Sequence, residues 1–101
     1  MTENDVKNQV KDWLDLNGFF HFHILQGIGS YKGTPDRIAM KRGVVLFIEI
    51  KRLGGRMSDY QEKFMLDCCL QNCHYIVARS CQDISNYLKV KGLDYLILEG
   101  L

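Results

Sequence analysis

The sequence predicts an α/β fold in which helices cover a mixed β-sheet. Apolar residues recur at helical spacing in residues 3–17, whereas residues 44–50 form an almost continuous apolar, β-branched run typical of a buried strand. Turn residues separate these segments into the order α-β-β-β-α-β-α. This order indicates a sandwich around one sheet, and the length of 101 residues fits a single domain, residues 1–101.

The first predicted helix covers residues 3–17, with Thr2 as N-cap and Gly18 as its end. Its apolar stripe consists of Val6, Val10, Trp13 and Leu14. A loop rich in glycine covers residues 26–34, and residues 41–43 predict a hairpin turn. The predicted strands are residues 19–25, 36–40, 44–50 and 74–78, with the strand at 44–50 in the centre.

The second predicted helix begins with a capping box formed by Ser58 and Gln61. We expect it to run to about Asn72 and to bury Phe64, Met65, Cys68 and Cys69. The third helix begins after Ser80 and ends near Gly92. Residues 95–98 predict either a final edge strand or a packed tail, and the role of residues 92–101 stays open.

Composition narrows the class of protein. The 47% apolar and 25% charged residues exclude collagen-like and wholly disordered chains. The longest apolar run, Val44–Ile48, is too short to cross a membrane, and the polar N-terminus is no signal peptide, so we expect a cytoplasmic protein. The four cysteines are therefore expected to be free thiols and not a disulfide framework.

Positive charge is concentrated in one part of the chain. Residues 32–56 carry seven positive and two negative charges, although the whole chain has a net charge of only +1. A segment of this kind attracts a polyanion, and it is equally typical of a solvated basic surface.

Three charged residues suggest the chemistry. Glu49 and Lys51 lie two positions apart, on one face at the end of the most apolar strand. Antiparallel pairing through the turn at 41–43 places Asp36 opposite residues near 49. Taken alone, Glu49 and Lys51 could be an ordinary ion pair, but two converging carboxylates favour a divalent cation between them.

Carboxylate oxygens suit Mg²⁺ or Mn²⁺, and such a metal activates water and stabilises charge on a phosphoryl oxygen. Lys51 would orient or help to deprotonate the attacking water, or neutralise the pentavalent phosphate. Together with the basic segment, this set indicates a phosphodiester hydrolase that acts on nucleic acid.

The motifs match a known family. Pro35-Asp36 followed by Glu49-Ile50-Lys51 resembles the PD-(D/E)xK nuclease pattern. The surrounding segments, listed in order, resemble more narrowly the VRR-NUC family of virus-type replication-repair nucleases: Gly33-Thr34-Pro35-Asp36-Arg37-Ile38, Phe47-Ile48-Glu49-Ile50-Lys51 and Met57-Ser58-Asp59-Tyr60-Gln61. The resemblance covers about residues 3–90 and implies a restriction-endonuclease-like three-layer sandwich.

The resemblance also implies residue roles. Asp36, Glu49 and the backbone carbonyl of Ile50 are the implied metal ligands, and Lys51 is the implied catalytic lysine. Gln61 is implied to approach the site and orient Lys51 or the water, although it could serve only as a helix cap.

Glu3 is implied to hydrogen-bond into the metal site or to bind a second cation, or it is simply a carboxylate in the first helical turn. Lys32, Arg52 and Arg56 flank the active strand and are candidates for contacts with DNA phosphates. His21 and His23 share a strand face and form either a metal pair or, with better odds, a polar face.

These observations predict an endodeoxyribonuclease dependent on Mg²⁺ or Mn²⁺, without a small-molecule cofactor. A small domain has little surface for reading bases, which favours recognition of branched DNA by its shape. Paired cuts in a four-way junction, as in phage replication and repair, would suit a homodimer. The alternatives are an enzyme that nicks flaps or duplexes, a restriction-like nuclease, and a non-catalytic DNA-binding module with the nuclease fold.

Overall fold

A computed structural model describes residues 1–98 of the chain. The predicted order α-β-β-β-α-β-α is confirmed, and a short 3₁₀ helix, Asp94–Leu96, follows it. The helices are α1 (Glu3–Leu16), α2 (Asp59–Leu70) and α3 (Cys81–Val90). The strands are β1 (Phe20–His23), β2 (Arg37–Lys41), β3 (Val44–Ile50) and β4 (His74–Ala78). No helix in this described part is both long and apolar enough to cross a membrane.

The four strands form one mixed sheet in the order β1-β2-β3-β4. β1 and β2 are antiparallel, β2 and β3 are antiparallel, and β4 is parallel to β3. The β2–β3 hairpin turns at Arg42 and Gly43, which both have positive φ, at 50° and 84°. Two such residues are typical of the type I′ turn, and this turn sets the register between β2 and β3.

The helices lie on both faces of the sheet, which confirms the three-layer sandwich. Helices α1 and α3 pack against each other on one face, where the main apolar core lies. That core contains Val6, Val10, Leu14, Ala39, Leu46, Ile48, Ile50, Ile76, Ala78, Ile84, Leu88 and Leu96. Helix α2 lies on the opposite face, where Phe64 contacts Phe47 of β3 and Tyr75 of β4.

The predicted burial of α2 is wrong in part. None of its residues is fully buried: Phe64, Met65 and Cys68 are half-buried, and Cys69 is exposed. The reason is that α2 covers only the β3–β4 side of its face of the sheet. Phe20 and Phe22 of β1 therefore remain 65% and 41% exposed on that face.

The C-terminal residues pack as a tail and do not form a strand, as far as residue 98; residues 99–101 lie outside the described part. Leu96 is completely buried in the core. Asn17, also completely buried, accepts a hydrogen bond from the Leu98 N–H at its Oδ1 (2.9 Å) and donates from Nδ2 to the Trp13 carbonyl (2.9 Å). The Lys41 ammonium donates to the Leu96 carbonyl (2.7 Å) and the Asn17 carbonyl.

Replacing Asn17 with alanine should destabilise the protein by about 1–3 kcal/mol, because the Leu98 N–H loses its partly buried acceptor. The Trp13 carbonyl loses the Asn17 side-chain amide but keeps the Asn17 backbone N–H as a donor. Urea unfolding followed by circular dichroism measures this loss. Asn86→Ala is the matched control, since Asn86 is exposed and bonds only to the Gln82 side chain on the surface. Equal stability of the two variants would contradict a structural role for Asn17.

Candidate active site

The register of the β2–β3 hairpin brings Asp36 and Glu49 together. Arg37 pairs with Ile48, so the residue before β2 lies next to the penultimate residue of β3. The Asp36 carboxylate accepts a hydrogen bond from the Ile50 N–H at 2.7 Å, which fixes its direction. The predicted convergence of the two carboxylates is thus present in the structure.

Glu49 is the most constrained charged residue of the site. Its side chain is only 2% exposed, on the sheet face that carries α2. The Lys51 ammonium lies 3.6 Å from its Oε2, and the Gln61 side-chain amide donates to the same oxygen at 3.1 Å. Burial, followed by the charge of Asp36, raises the pKa of Glu49 to about 8, although Lys51 opposes the shift.

Lys51 is held at the end of β3 by the neighbouring parallel strand. Its backbone N–H donates to the Ala78 carbonyl at 3.1 Å, which continues the β3–β4 ladder by one residue. Its side chain is 13% exposed. The ammonium therefore lies beside the Glu49 carboxylate and still reaches the surface of the site.

Gln61 caps helix α2 and also reaches the site, where its partner is Glu49. Its Oε1 accepts from the Ser58 N–H at 2.9 Å, which completes the capping box of α2. Its Nε2 donates to Glu49. One side chain thus joins the start of α2 to the carboxylate of β3, so the position of the helix and the rotamer of Glu49 are coupled.

Glu3 lies at the margin of the site. Its carboxylate is 3.5 Å from the Lys7 ammonium, which is in turn 3.6 Å from Asp36 Oδ1. Lys7 was missed in the sequence, although it lies one helical turn after Glu3 and so on the same side of α1. The structure therefore connects Glu3 to Asp36 through a lysine.

The glycine-rich loop is packed tightly against the start of α2. Gly33 has a φ of 79°, and a Cβ at this position would lie 2.2 Å from the Tyr60 carbonyl oxygen. Only glycine fits both the conformation and the contact. This explains physically why a glycine precedes the Thr34-Pro35-Asp36 segment.

The three candidate DNA-contacting residues lie on two loops. Lys32 is exposed, with its ammonium 4.9 Å from the centre of the Tyr60 ring. Arg52 and Arg56 are exposed in the segment that follows β3. Arg79, which the sequence analysis missed, donates to the carbonyls of Arg52 (2.8 Å) and Gly55 (2.7 Å) and so fixes that segment. The signal in the sequence was that Arg79 directly follows β4, whose end lies beside the end of β3 because the two strands are parallel.

The structure supports the polar interpretation of the histidine pair. His21 lies 2.5 Å from Asp15 and 2.8 Å from Arg37, and His23 is exposed. The four cysteines Cys68, Cys69, Cys73 and Cys81 are free. Across residues 1–98, no group of three or more His, Cys, Asp or Glu side chains could hold a metal ion.

The site nevertheless fits a hard divalent cation. Mg²⁺ is held in proteins by one or two carboxylates, with water and substrate phosphates completing its coordination. Asp36 and Glu49 supply two carboxylates, and the backbone carbonyl of Ile50 is a third oxygen in the same segment. Burial and the charge of Asp36 raise the pKa of Glu49 and so disfavour its ionised form, a cost that a bound cation would offset.

Comparison with protein families agrees with this geometry. The VRR-NUC domain model matches residues 26–82, which is more than half of the chain and includes the glycine-rich loop, β2, β3, α2 and β4. No significant match was found among curated proteins. The chain belongs to the VRR-NUC family, whose members are nucleases of the PD-(D/E)xK type that act on DNA.

Proposed function

We propose that this protein is an endodeoxyribonuclease dependent on Mg²⁺ or Mn²⁺ that cuts branched DNA, with the four-way junction as its main substrate. The observation that carries the proposal is the buried Glu49 carboxylate, held among Asp36, Lys51 and Gln61. A buried carboxylate next to a second one is unfavourable unless it binds a cation. A structural ion pair with Lys51 alone would not require Asp36 at the same place.

Asp36, Glu49 and the Ile50 carbonyl would hold the metal. When bound, it supplies a Lewis acid that lowers the pKa of water and stabilises charge on the phosphoryl oxygens. Lys51 contributes the positive charge of its ammonium, which orients the attacking water or stabilises the pentavalent phosphate.

Two further residues position these groups. Gln61 donates to Oε2 of Glu49 and holds that oxygen in place from the start of α2. Lys7 balances the charge of Asp36 from the α1 side and links it to Glu3. Through this link Glu3 would act on the metal site by way of Lys7, whereas the resemblance implies a direct hydrogen bond or a second cation at Glu3.

A homodimer would supply the two active sites that paired cuts require. β1 lies at an edge of the sheet, and an edge strand is a template for pairing with another chain. Antiparallel pairing of two copies of β1 about a twofold axis would bring the exposed Phe20 and Phe22 of both copies together. The four free thiols suit a reducing compartment, and we infer a cytoplasmic location.

The stability of the metal-free protein should fall as the pH rises from 4.5 to about 8. In this interval the folded state keeps Glu49 protonated, whereas the unfolded state releases the proton, so ionisation favours unfolding. We expect the melting temperature at the upper end to recover by about 4–8 °C or more when Mn²⁺ is added. Thermal denaturation with and without chelator measures both effects.

Glu49→Gln should reduce both the pH dependence and the effect of Mn²⁺, because a neutral amide neither titrates there nor binds the ion as strongly. Glu62→Gln is the control, since Glu62 is an exposed carboxylate on the adjacent helix. If Mn²⁺ stabilised both variants equally, the metal would bind elsewhere on the protein.

Lys51→Ala and Asp36→Ala should each lower the rate of cleavage of a labelled four-way junction by about 100-fold or more. Lys51→Ala removes the positive charge that stabilises the phosphate, and Asp36→Ala removes a carboxylate that would hold the metal. Lys89→Ala, which removes an exposed lysine from α3, should cleave as the wild type does. Gel analysis of both labelled strands in Mg²⁺ or Mn²⁺ shows the position of the cuts.

Paired cuts near the crossover, lost in both variants, would establish the junction-cleaving activity. Faster cleavage of flaps or linear duplexes would instead identify a nicking or restriction-like nuclease. No cleavage of any substrate by the folded wild type would leave a DNA-binding module. Light scattering at the working concentration must show a dimer, since a monomer would rule out the paired-cut arrangement.

A further inference from the structure

A cleft next to the candidate active site has no role in the chemistry described above. It has a volume of about 510 Å³ and lies between the glycine-rich loop (residues 26–34) and the start of α2. Its lining includes Ile28 and Lys32 from the loop, and Tyr60 and Gln61 from the helix. Since Gln61 also donates to Glu49, one end of the cleft adjoins the buried carboxylate.

The walls of this cleft combine apolar, aromatic and basic side chains. Ile28 is fully exposed at the tip of the loop, and Tyr60 is 55% exposed. The Lys32 ammonium lies 4.9 Å from the Tyr60 ring centre and 3.5 Å from its hydroxyl oxygen. An aromatic face beside a cation is the combination that proteins use to bind single-stranded nucleic acid.

The shape of the loop that borders the cleft is fixed by Gly33 and by the side chains of Gln26 and Ser30. Gly33 packs against the Tyr60 carbonyl, and the Gln26 amide donates to the Thr34 hydroxyl at 2.7 Å, which closes the base of the loop. Near the tip, the Ser30 hydroxyl donates to the Gly27 carbonyl at 2.6 Å. The Ile28 and Tyr60 side chains take no part in these contacts and are exposed, and Tyr60 contacts the exposed Lys32 across the cleft, so substitution of either should preserve the fold.

We propose that this cleft binds one unpaired nucleotide next to the scissile phosphate. Its base packs on the Tyr60 ring and against Ile28, and its phosphate contacts Lys32. Removing a base from the stack costs least where it is already unpaired, so a branch point fills the cleft more readily than an intact duplex. This inference rests on the proposed nuclease function. It would explain physically how the enzyme selects branched DNA over an intact duplex.

Binding can be measured without cleavage. The probe is a forked duplex with 2-aminopurine as its first unpaired base, bound by the full chain in the Lys51→Ala background. Stacking on Tyr60 should quench the fluorescence of 2-aminopurine, and Tyr60→Ala should abolish the quenching and weaken binding about tenfold. Tyr60→Phe should retain both, because it keeps the ring. Ile28→Ala should give a smaller loss of the same sign.

Tyr95→Ala is the matched control, since Tyr95 is 54% exposed and also contacts a basic side chain, that of Arg42. It should bind and quench as the parent does. In the background with intact Lys51, Tyr60→Ala should lower the ratio of forked-DNA to linear-duplex cleavage about tenfold, whereas Tyr95→Ala should not change it.

Two failures can be told apart. If the wild type cleaves DNA but Tyr60→Ala matches Tyr60→Phe in affinity, quenching and selectivity, the nuclease stands and the cleft is not a nucleotide site. If the wild type cleaves no DNA, the nuclease proposal fails, and the quenching experiment still decides whether the cleft binds an unpaired base.

Discussion

The rest of the site depends on one constraint, the burial of the Glu49 carboxylate beside that of Asp36. A charge in this position is unfavourable, and the raised pKa of Glu49 records that cost. Lys51 and Gln61 both contact the same oxygen of Glu49, yet they do not fully compensate for it. In the proposed mechanism a bound cation offsets this cost, and the fold keeps Glu49 buried because β3 lies between two other strands.

The β2–β3 hairpin determines where the Asp36 carboxylate lies relative to Glu49. Side chains alternate between the two faces of a strand, so a register shift of one residue would send Asp36 to the wrong side of the sheet. The turn at Arg42 and Gly43 prevents this shift because both residues adopt the positive φ of a two-residue turn. The Ile50 N–H then fixes the Asp36 carboxylate. A turn remote from the chemistry therefore determines whether the two carboxylates meet.

The sequence alone predicted those parts of the fold that local residue patterns determine. Periodicity, the Thr2 N-cap, the Ser58–Gln61 capping box and the hairpin predicted the order of elements and the approach of Asp36 to Glu49. The sequence did not predict how little of α2 is buried, because that burial depends on how much of the sheet the helix covers and not on the helix's own residue pattern. Lys7 and Arg79 were missed for a similar reason: each acts across elements that only the tertiary fold brings together.

The tertiary fold also separates the proposed catalytic residues from the proposed nucleotide cleft. Asp36, Glu49 and Lys51 are positioned by the sheet, whose central strand is buried in the core. Ile28 and Tyr60 lie outside that core, and the contact of Gly33 with the backbone of α2 sets the distance of the loop that carries Ile28 from Tyr60 and Gln61. Loop side chains can therefore change without disturbing the carboxylates, whereas a change at Gly33 would move both. Under the proposed roles, this arrangement would let a small domain keep one chemistry while the DNA structures that it accepts change.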